Sequence, residues 1–235
     1  MKNPLVSTNA FSVLVDQAEE LNSTATTSGV DIATGSSSGS STNAHTHRKL
    51  KDPLVWIDLE MTGLDIEKDT IIEVACIVTD GELGIHVEGP SMSIHHSEEV
   101  LSEMNDWCKE HHGESGLTQR VRDSKVDMRQ AELQLLQFVR QHCPDPGCAQ
   151  LAGNSVHVDR MFMLKYMPEL TAHLSYRIVD VSTIKELARR WFPAANRKAP
   201  RKVCAHTALS DIRESIKELQ YFRKAIFLGG GRGGR

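Results

Sequence analysis

The sequence predicts an α/β domain built on a mixed five-stranded sheet, in which an antiparallel meander joins parallel strand–helix units and helices flank the whole. Two patterns predict this. Three strand-like runs, at 54–60, 70–78 and 87–94, follow one another across short joints, as a meander requires. Two further short runs, at 149–153 and 177–181, alternate with stretches of helical period, which is the signature of parallel β–α units.

The first run, Leu54-Val55-Trp56-Ile57-Asp58-Leu59-Glu60, is apolar, rich in β-branched and aromatic residues, and bounded by Pro53 and Gly63. The second is Thr70 to Val78, with Asp80-Gly81 as its turn, and the third is Val87 to Ile94. Ser97 to His112 reads as helical or irregular and carries Trp107. A clearer helix runs from Asp127 to Cys143: Asp127 and Gln130 form a capping box, Ala131, Leu135, Phe138 and His142 share a face, and Pro144 stops it. After the fourth strand, Ala149 to Gly153, a helix starts near Asp159, shows Phe162, Met163 and Tyr166 in period, and ends at Pro168. The fifth strand is Arg177 to Val181. Thr183 and Glu186 have capping-box spacing, and Ile184, Leu187, Ala188 and Trp191 form a stripe up to Pro193. A basic loop with Arg197, Lys198, Arg201 and Lys202 leads to a last helix from about Ala205 to Ile226, with Ile212, Ile216 and Leu219 inward.

The boundaries follow from composition. Residues 1–49 form an N-terminal extension: Phe11, Leu14, Val15, Ala18 and Leu21 have helical spacing, but Asn22 to Asn43 is mostly Ser, Thr, Gly and Ala, and is expected to be disordered. Asp16, Glu19, Glu20 and Asp31 count against an organelle leader. The protein reads as intracellular, cytoplasmic by preference, with the mitochondrion as the alternative. Residues 50–227 make the folded domain, and 228–235 a flexible Gly/Arg tail. The 40% hydrophobic content of the 235 residues suffices for a core, while no apolar run approaches a membrane span. Five scattered cysteines without a C-x-x-C pair suggest reduced thiols. A net charge of −4 leaves no global basic field for a long nucleic acid, but does not exclude a short one whose phosphates meet metal ions.

Candidate chemistry begins on the first strand. Side chains alternate, so Asp58 and Glu60 point to one face, about 7 Å apart. Two same-side acids at the end of a buried strand are costly unless a cation sits between them, and Mg²⁺ or Mn²⁺ prefers oxygen donors. Asp159 lies at a helix start after Gly153-Asn154-Ser155, and Asp211 in the first turns of the last helix with His206 at or before its start. Alone, each reads as a capping acid or a surface histidine. Together they occupy strand ends and helix starts that can converge on one side of a sheet. An i, i+5 pair on a continuous helix diverges by about 140°, so His206 must belong to the entering loop if it faces the same site as Asp211.

Three segments stand in the order of a known family: Trp56-Ile57-Asp58-Leu59-Glu60-Met61-Thr62-Gly63-Leu64, then Gly153-Asn154-Ser155 with Asp159-Arg160, then His206, Ala208-Leu209, and Asp211 to Ile216. From Pro53 to Phe227 the chain resembles the DEDDh 3′-to-5′ exonucleases, a family with a ribonuclease H-like fold, and within it the oligoribonucleases. The resemblance implies that Asp58, Glu60, Asp159 and Asp211 hold two Mg²⁺ or Mn²⁺ ions and that His206 is the general base. Two ions about 4 Å apart can activate a water and steady the leaving 3′-oxygen, and a histidine can take a proton near neutral pH. The products would be 5′-mononucleotides.

The same resemblance carries over residues that favour dinucleotides. Leu64 looks like a wedge between two bases and Trp107 like a stacking surface. Ser155, Arg177, Ser182 and His112 look like a cap on the 5′-phosphate, and Tyr176 like a tyrosine lent by a partner subunit, which implies a homodimer. Ser210 departs from the family, which usually has an aspartate there. The expected activity is hydrolysis of short RNA oligonucleotides, dinucleotides above all. The rivals are a broader DEDDh exonuclease on longer RNA or DNA and a catalytically dead nucleotide-binding module.

Overall fold

Five strands make one sheet: β1 (Leu54–Met61), β2 (Ile71–Thr79), β3 (His86–Ser93), β4 (Gln150–Gly153) and β5 (Ile178–Asp180). The computed structural model describes residues 50–200 and 207–228. The spatial order is β3-β2-β1-β4-β5. The β1–β2 and β2–β3 pairs are antiparallel and the β1–β4 and β4–β5 pairs parallel, which is the predicted meander joined to parallel units. The described helices are α1 (Glu98–Ser102), α2 (Asp106–Glu114), α3 (Leu117–Asp123), α4 (Met128–His142), α5 (His157–Tyr166), α6 (Pro168–His173), α7 (Val181–Trp191), α8 (Pro193–Arg197) and α9 (Ala208–Phe222), the last running into a π-helical turn at Arg223–Leu228.

The period of two along β1 sorts its residues between two cores. Val55, Ile57 and Leu59 join Val74, Cys76 and Val78 of β2 against Ala131, Leu135 and Val139 of α4 and Phe162 and Met163 of α5. Leu54 and Trp56 face the other way and pack with Ala75 and Ile77 under Ala208, Ile212 and Ile216 of α9. Asp58 and Glu60 continue the Trp56 row, so they emerge on the face that α9 covers. This parity brings strand acids and helix acid together.

Capping chemistry sets the helix starts, and here several expectations need correction. The Asp127–Gln130 box forms in both directions. The Thr183–Glu186 box does not open α7: the N-cap is Asp180, whose carboxylate accepts from the Ser182 amide, so the helix begins earlier. Trp191, at the end of the Ile184–Leu187–Ala188 stripe, is 65% exposed. Pro168 and Pro193 do more than stop helices, since each opens a short new one at its first turn, where a missing N–H costs nothing. The stretch from Ser97 resolves into α1 and α2, and α3 was not expected. Leu117 and Val121 of α3 pack with Leu101, Met104 and Cys108 over Ile72. Cys76, Cys108, Cys143 and Cys148 carry thiols and are not joined in disulfides. No described helix is long and apolar enough to cross a membrane. The N-terminal extension 1–49, the loop segment 201–206 with Arg201, Lys202 and His206, and the tail 229–235 lie outside the described residues.

Candidate active site

Asp58, Glu60 and Asp211 each present a carboxylate oxygen, and these oxygens lie within 4.8 Å of one another. β1 supplies the first two. Asp211 arrives because Thr207 caps α9, accepting from the Ser210 amide, which leaves Asp211 in the first turn above the strand. Ser210 serves the same turn, donating from its hydroxyl to the Thr207 carbonyl at 2.9 Å.

Asp159 is not one of these three; it approaches from the other core, near enough for its charge to act on Glu60. β4 pairs with β1 only over Leu54–Trp56. Beyond that the Leu59 N–H loses its strand partner and donates instead to Asp159 Oδ1 at 3.0 Å. Asp159 is 7% exposed, and burial pushes its carboxyl up to about 7 against the lowering pull of the Leu59 hydrogen bond. The Glu60 carboxyl is also raised to about 7, first by burial and then by the charges of Glu73, Asp211 and Asp159, with Arg120 pulling the other way. Half-buried oxygen donors that repel one another must hold either protons or a cation. Their hardness and number fit Mg²⁺ or Mn²⁺.

Glu73 was not foreseen. It stands opposite Glu60 in the β1–β2 register and is 5% exposed. Its Oε1 accepts from Arg120 at 3.0 Å and its Oε2 from the Ala208 amide at 3.3 Å. One buried carboxylate therefore ties β2 to α3 and to the first residue of α9. The signal in sequence was an acid inside the apolar run Ile71–Val78, where a charge survives only if paired.

A cleft of about 340 Å³ opens beside the acids, lined by Glu60, Met61, Leu64, Trp107, Cys108 and His112 among others. Leu64 is 74% and Trp107 63% exposed, and the indole stacks on His111 at 3.9 Å between ring centroids. The loop presenting Leu64 folds round Asp69, which accepts from the Thr62 hydroxyl at 2.9 Å and the Asp65 amide at 2.8 Å. Gly63 permits this, because a Cβ there would stand 2.4 Å from the Asp69 carboxylate. His112 is buried, its Nε2 bonded to the Met61 carbonyl at 3.0 Å, and burial lowers its pKa. The Nε2 position thus carries the proton of the neutral ring.

The other predicted residues form two smaller groups. The Ser155 and Ser182 hydroxyls are 3.2 Å apart. The Arg177 guanidinium lies over the Tyr176 ring at 4.9 Å. No hydrogen bond joins His112 to Ser155, Ser182 or Arg177; it stands with Leu64 and Trp107. His206 lies outside the described residues.

Comparison with known proteins accords with this geometry. A family model described as Exonuclease matches residues 55–219. The human mitochondrial oligoribonuclease is 59% identical over 174 residues, covering 74% of this chain and 73% of that protein. The oligoribonuclease of Arabidopsis thaliana is 48% identical over 219 residues, covering 93% of this chain and 96% of its own. Among solved structures, exonuclease I of Methylocaldum szegediense superposes with a TM-score of 0.54 at 20% identity, over 77% of this chain and 43% of that one. An E. coli exonuclease I–ssDNA complex gives 0.58 at 12%, over 75% and 41%. The chain spans less than half of these exonuclease I chains, and at such identities they speak for the fold alone, which is ribonuclease H-like.

Sheet, acid cluster and family model together define an exonuclease. More narrowly, the chain belongs to the oligoribonuclease family, and that membership places it among the 3′-to-5′ exoribonucleases.

Proposed function

We propose that the protein hydrolyses very short oligoribonucleotides, dinucleotides above all, to 5′-mononucleotides, using two Mg²⁺ or Mn²⁺ ions and His206 as general base. The observation that carries this reading is the pairing of exposed Leu64 and Trp107 in a small cleft walled on one side by Glu60. Apolar and aromatic surfaces of this kind hold bases by stacking, at about 1–3 kcal/mol per base. With a net charge of −4, counterion release on long strands can contribute little, so local contacts have to supply the affinity.

Asp58, Glu60 and Asp211, with Asp159 beside them, would hold the ions. When bound, these supply activation of a water and neutralisation of charge building on the phosphate. The acids keep the site negative enough to recruit cations. Leu64 and Trp107 orient the bases. His206, one residue before the Thr207 cap, takes the proton of the attacking water. Ser155, Ser182, Arg177 and His112 receive the 5′-phosphate, and since His112 Nε2 is committed to Met61, the histidine donates from Nδ1 only as the imidazolium, which a phosphate would favour. Tyr176 completes the site from a partner subunit in a homodimer, which light scattering checks. The compartment is cytoplasmic or mitochondrial; bovine and human relatives are named mitochondrial.

Time courses on 5′-labelled RNAs of two to about twenty nucleotides test the reading, with Asp211→Ala as the blank. A steep preference for dinucleotides supports it. Equal or faster trimming of long strands would return the protein to a broader exonuclease. Binding without cleavage would make it a nucleotide-binding module. His206→Ala should slow turnover by roughly 10²- to 10⁴-fold while dinucleotide affinity holds; an unchanged pH–rate profile in that variant would remove histidine from the mechanism.

A further inference from the structure

Asn154 lies between the two serines of the proposed phosphate cap and the helix that bears Asp211. Its side chain makes three hydrogen bonds. Nδ2 donates to Ser215 Oγ at 2.8 Å and to Glu218 Oε2 at 3.3 Å, both on α9, and Oδ1 accepts from Ser182 Oγ at 3.1 Å. The direction of these bonds is not free. Glu218 is 3% exposed and ion-paired to Lys185 at 2.9 Å, so its carboxylate has only lone pairs to offer and the amide must turn its NH₂ toward it. The carbonyl end then faces Ser182 and takes that hydroxyl's single proton.

Proton accounting fixes what remains. Ser182 Oγ, with its proton spent on Asn154, can only accept from its neighbour 3.2 Å away, Ser155 Oγ. Ser155 therefore holds the pair's one redirectable proton: its O–H can turn from Ser182 Oγ to an incoming anion, exchanging one hydrogen bond for a stronger, charge-assisted one. The backbone enforces the pairing: Ser155 and Ser182 both donate their amides to Asp180 Oδ1, at 3.0 and 2.9 Å. Ser155 is held at φ 53°, a left-handed conformation that serine adopts only when its surroundings compel it. At the other end Ser215 Oγ, which accepts from Asn154, donates to the Asp211 carbonyl at 2.8 Å. A one-way chain of donors thus spans Ser155, Ser182, Asn154, Ser215 and the first turns of α9.

We propose that Asn154 is a positioning residue for substrate selection: it polarises the Ser182–Ser155 pair so that Ser155 donates to the 5′-phosphate, and it ties that pair to the helix of Asp211. This rests on the reading of Ser155 and Ser182 as the phosphate cap.

The readout is the ratio of kcat/KM for a 5′-phosphorylated dinucleotide to that for its 5′-hydroxyl counterpart, which general damage to the fold leaves unmoved. Wild type, Ser155→Ala, Ser182→Ala, Asn154→Ala and the Asn154→Ala/Ser182→Ala double variant are compared, with the affinity for Mn²⁺ alone measured by calorimetry. Ser155→Ala should cut the ratio by roughly 10-fold or more, as expected for a hydrogen bond to a charged group, and Ser182→Ala by clearly less. Asn154→Ala should cut it several-fold, adding Ser182→Ala should cost no more, and the Mn²⁺ affinity should stay within about twofold throughout. The proposal is overturned if Ser182→Ala costs as much as Ser155→Ala. It is also overturned if Asn154→Ala weakens Mn²⁺ binding and slows both dinucleotides alike, which would mark a purely structural role. If Asn154→Ala does not fold, the two serine variants still decide. A wild-type ratio near one would instead discard the phosphate cap itself, and the inference with it.

Discussion

The acid cluster and the cleft wall beside it are built from opposite materials. The acids stand on β1 and α9, elements clamped by the Trp56, Ala208 and Ile212 core, and Glu73 braces the start of α9 from beneath. Glu60 is raised to about 7 by burial first and then by the neighbouring acids, and Asp159, on α5, is raised to about 7 by its own burial. The wall, by contrast, is a loop residue and a residue on the nine-residue α2, both mostly exposed, with side chains free to meet a base. Groups whose charges must stay close sit on buried regular structure, whereas groups that greet a ligand sit where burial cannot hide them. The contrast implies that damage to the first region should remove chemistry while relieving the fold, and damage to the second should weaken binding while leaving chemistry intact.

The largest effect belongs to the cluster. Glu60→Gln should lower turnover by about 10³-fold or more, since a lost ligand forfeits several kcal/mol of charge stabilisation. The metal-free protein should meanwhile become no less stable, and the sign can be worked out. The folded-state pKa of Glu60, about 7, lies above its ordinary 4.5, so between these values the folded chain binds more protons than the unfolded one. The stability this group contributes is present below pH 4.5 and lost as pH rises through 7, and Asp159 behaves likewise from its ordinary 3.8. Melting temperatures measured in EDTA should therefore fall from pH 5 to pH 8, less steeply in Glu60→Gln, and Mn²⁺ should restore stability at pH 8 by binding the folded state. A metal-free melting temperature that rises over this range would contradict the raised values of these two acids.

How far each region was legible in sequence follows the same division. The shared face of Asp58 and Glu60 follows from a period of two along one strand, and the meander joined to parallel units from the alternation of runs, because both are local patterns tied to burial. The strand order itself was not read from the sequence. Glu73 escaped because its partners are distant in sequence: Arg120 is 47 positions away and Ala208 is 135. The start of α7 was misplaced because two caps competed, and the Asp180 carboxylate, already fixed by the Ser155 amide, prevailed over the Thr183–Glu186 spacing. The α3 helix was missed because it opens on Gly116 at φ 71° without a side-chain cap, so no start signal marks it. Leu64 and Trp107 were suggested by family resemblance alone; no periodicity marks an apolar side chain that stays in water.

The wall gives the smaller effects, and in two grades. Trp107→Ala removes a stacking surface, so KM for dinucleotides should rise by roughly 5- to 150-fold, the equivalent of about 1–3 kcal/mol, with kcat and Mn²⁺ affinity nearly unchanged. Gly63→Ala is subtler, because it touches no ligand. Its Cβ would stand 2.4 Å from Asp69 Oδ2, so the carboxylate must swing away from the Thr62 hydroxyl and the Asp65 amide that it now holds. Leu64 would then lose the support that aims it into the cleft, while the backbone of β1 and the acids on it stay in register. We expect KM to rise a few-fold, less than for Trp107→Ala, since the leucine remains and only its placement suffers. If Gly63→Ala instead lowered kcat and Mn²⁺ affinity together, the 62–69 loop would be part of the acid cluster's support, and the separation between scaffolded chemistry and exposed recognition would fail at the point where the two regions adjoin.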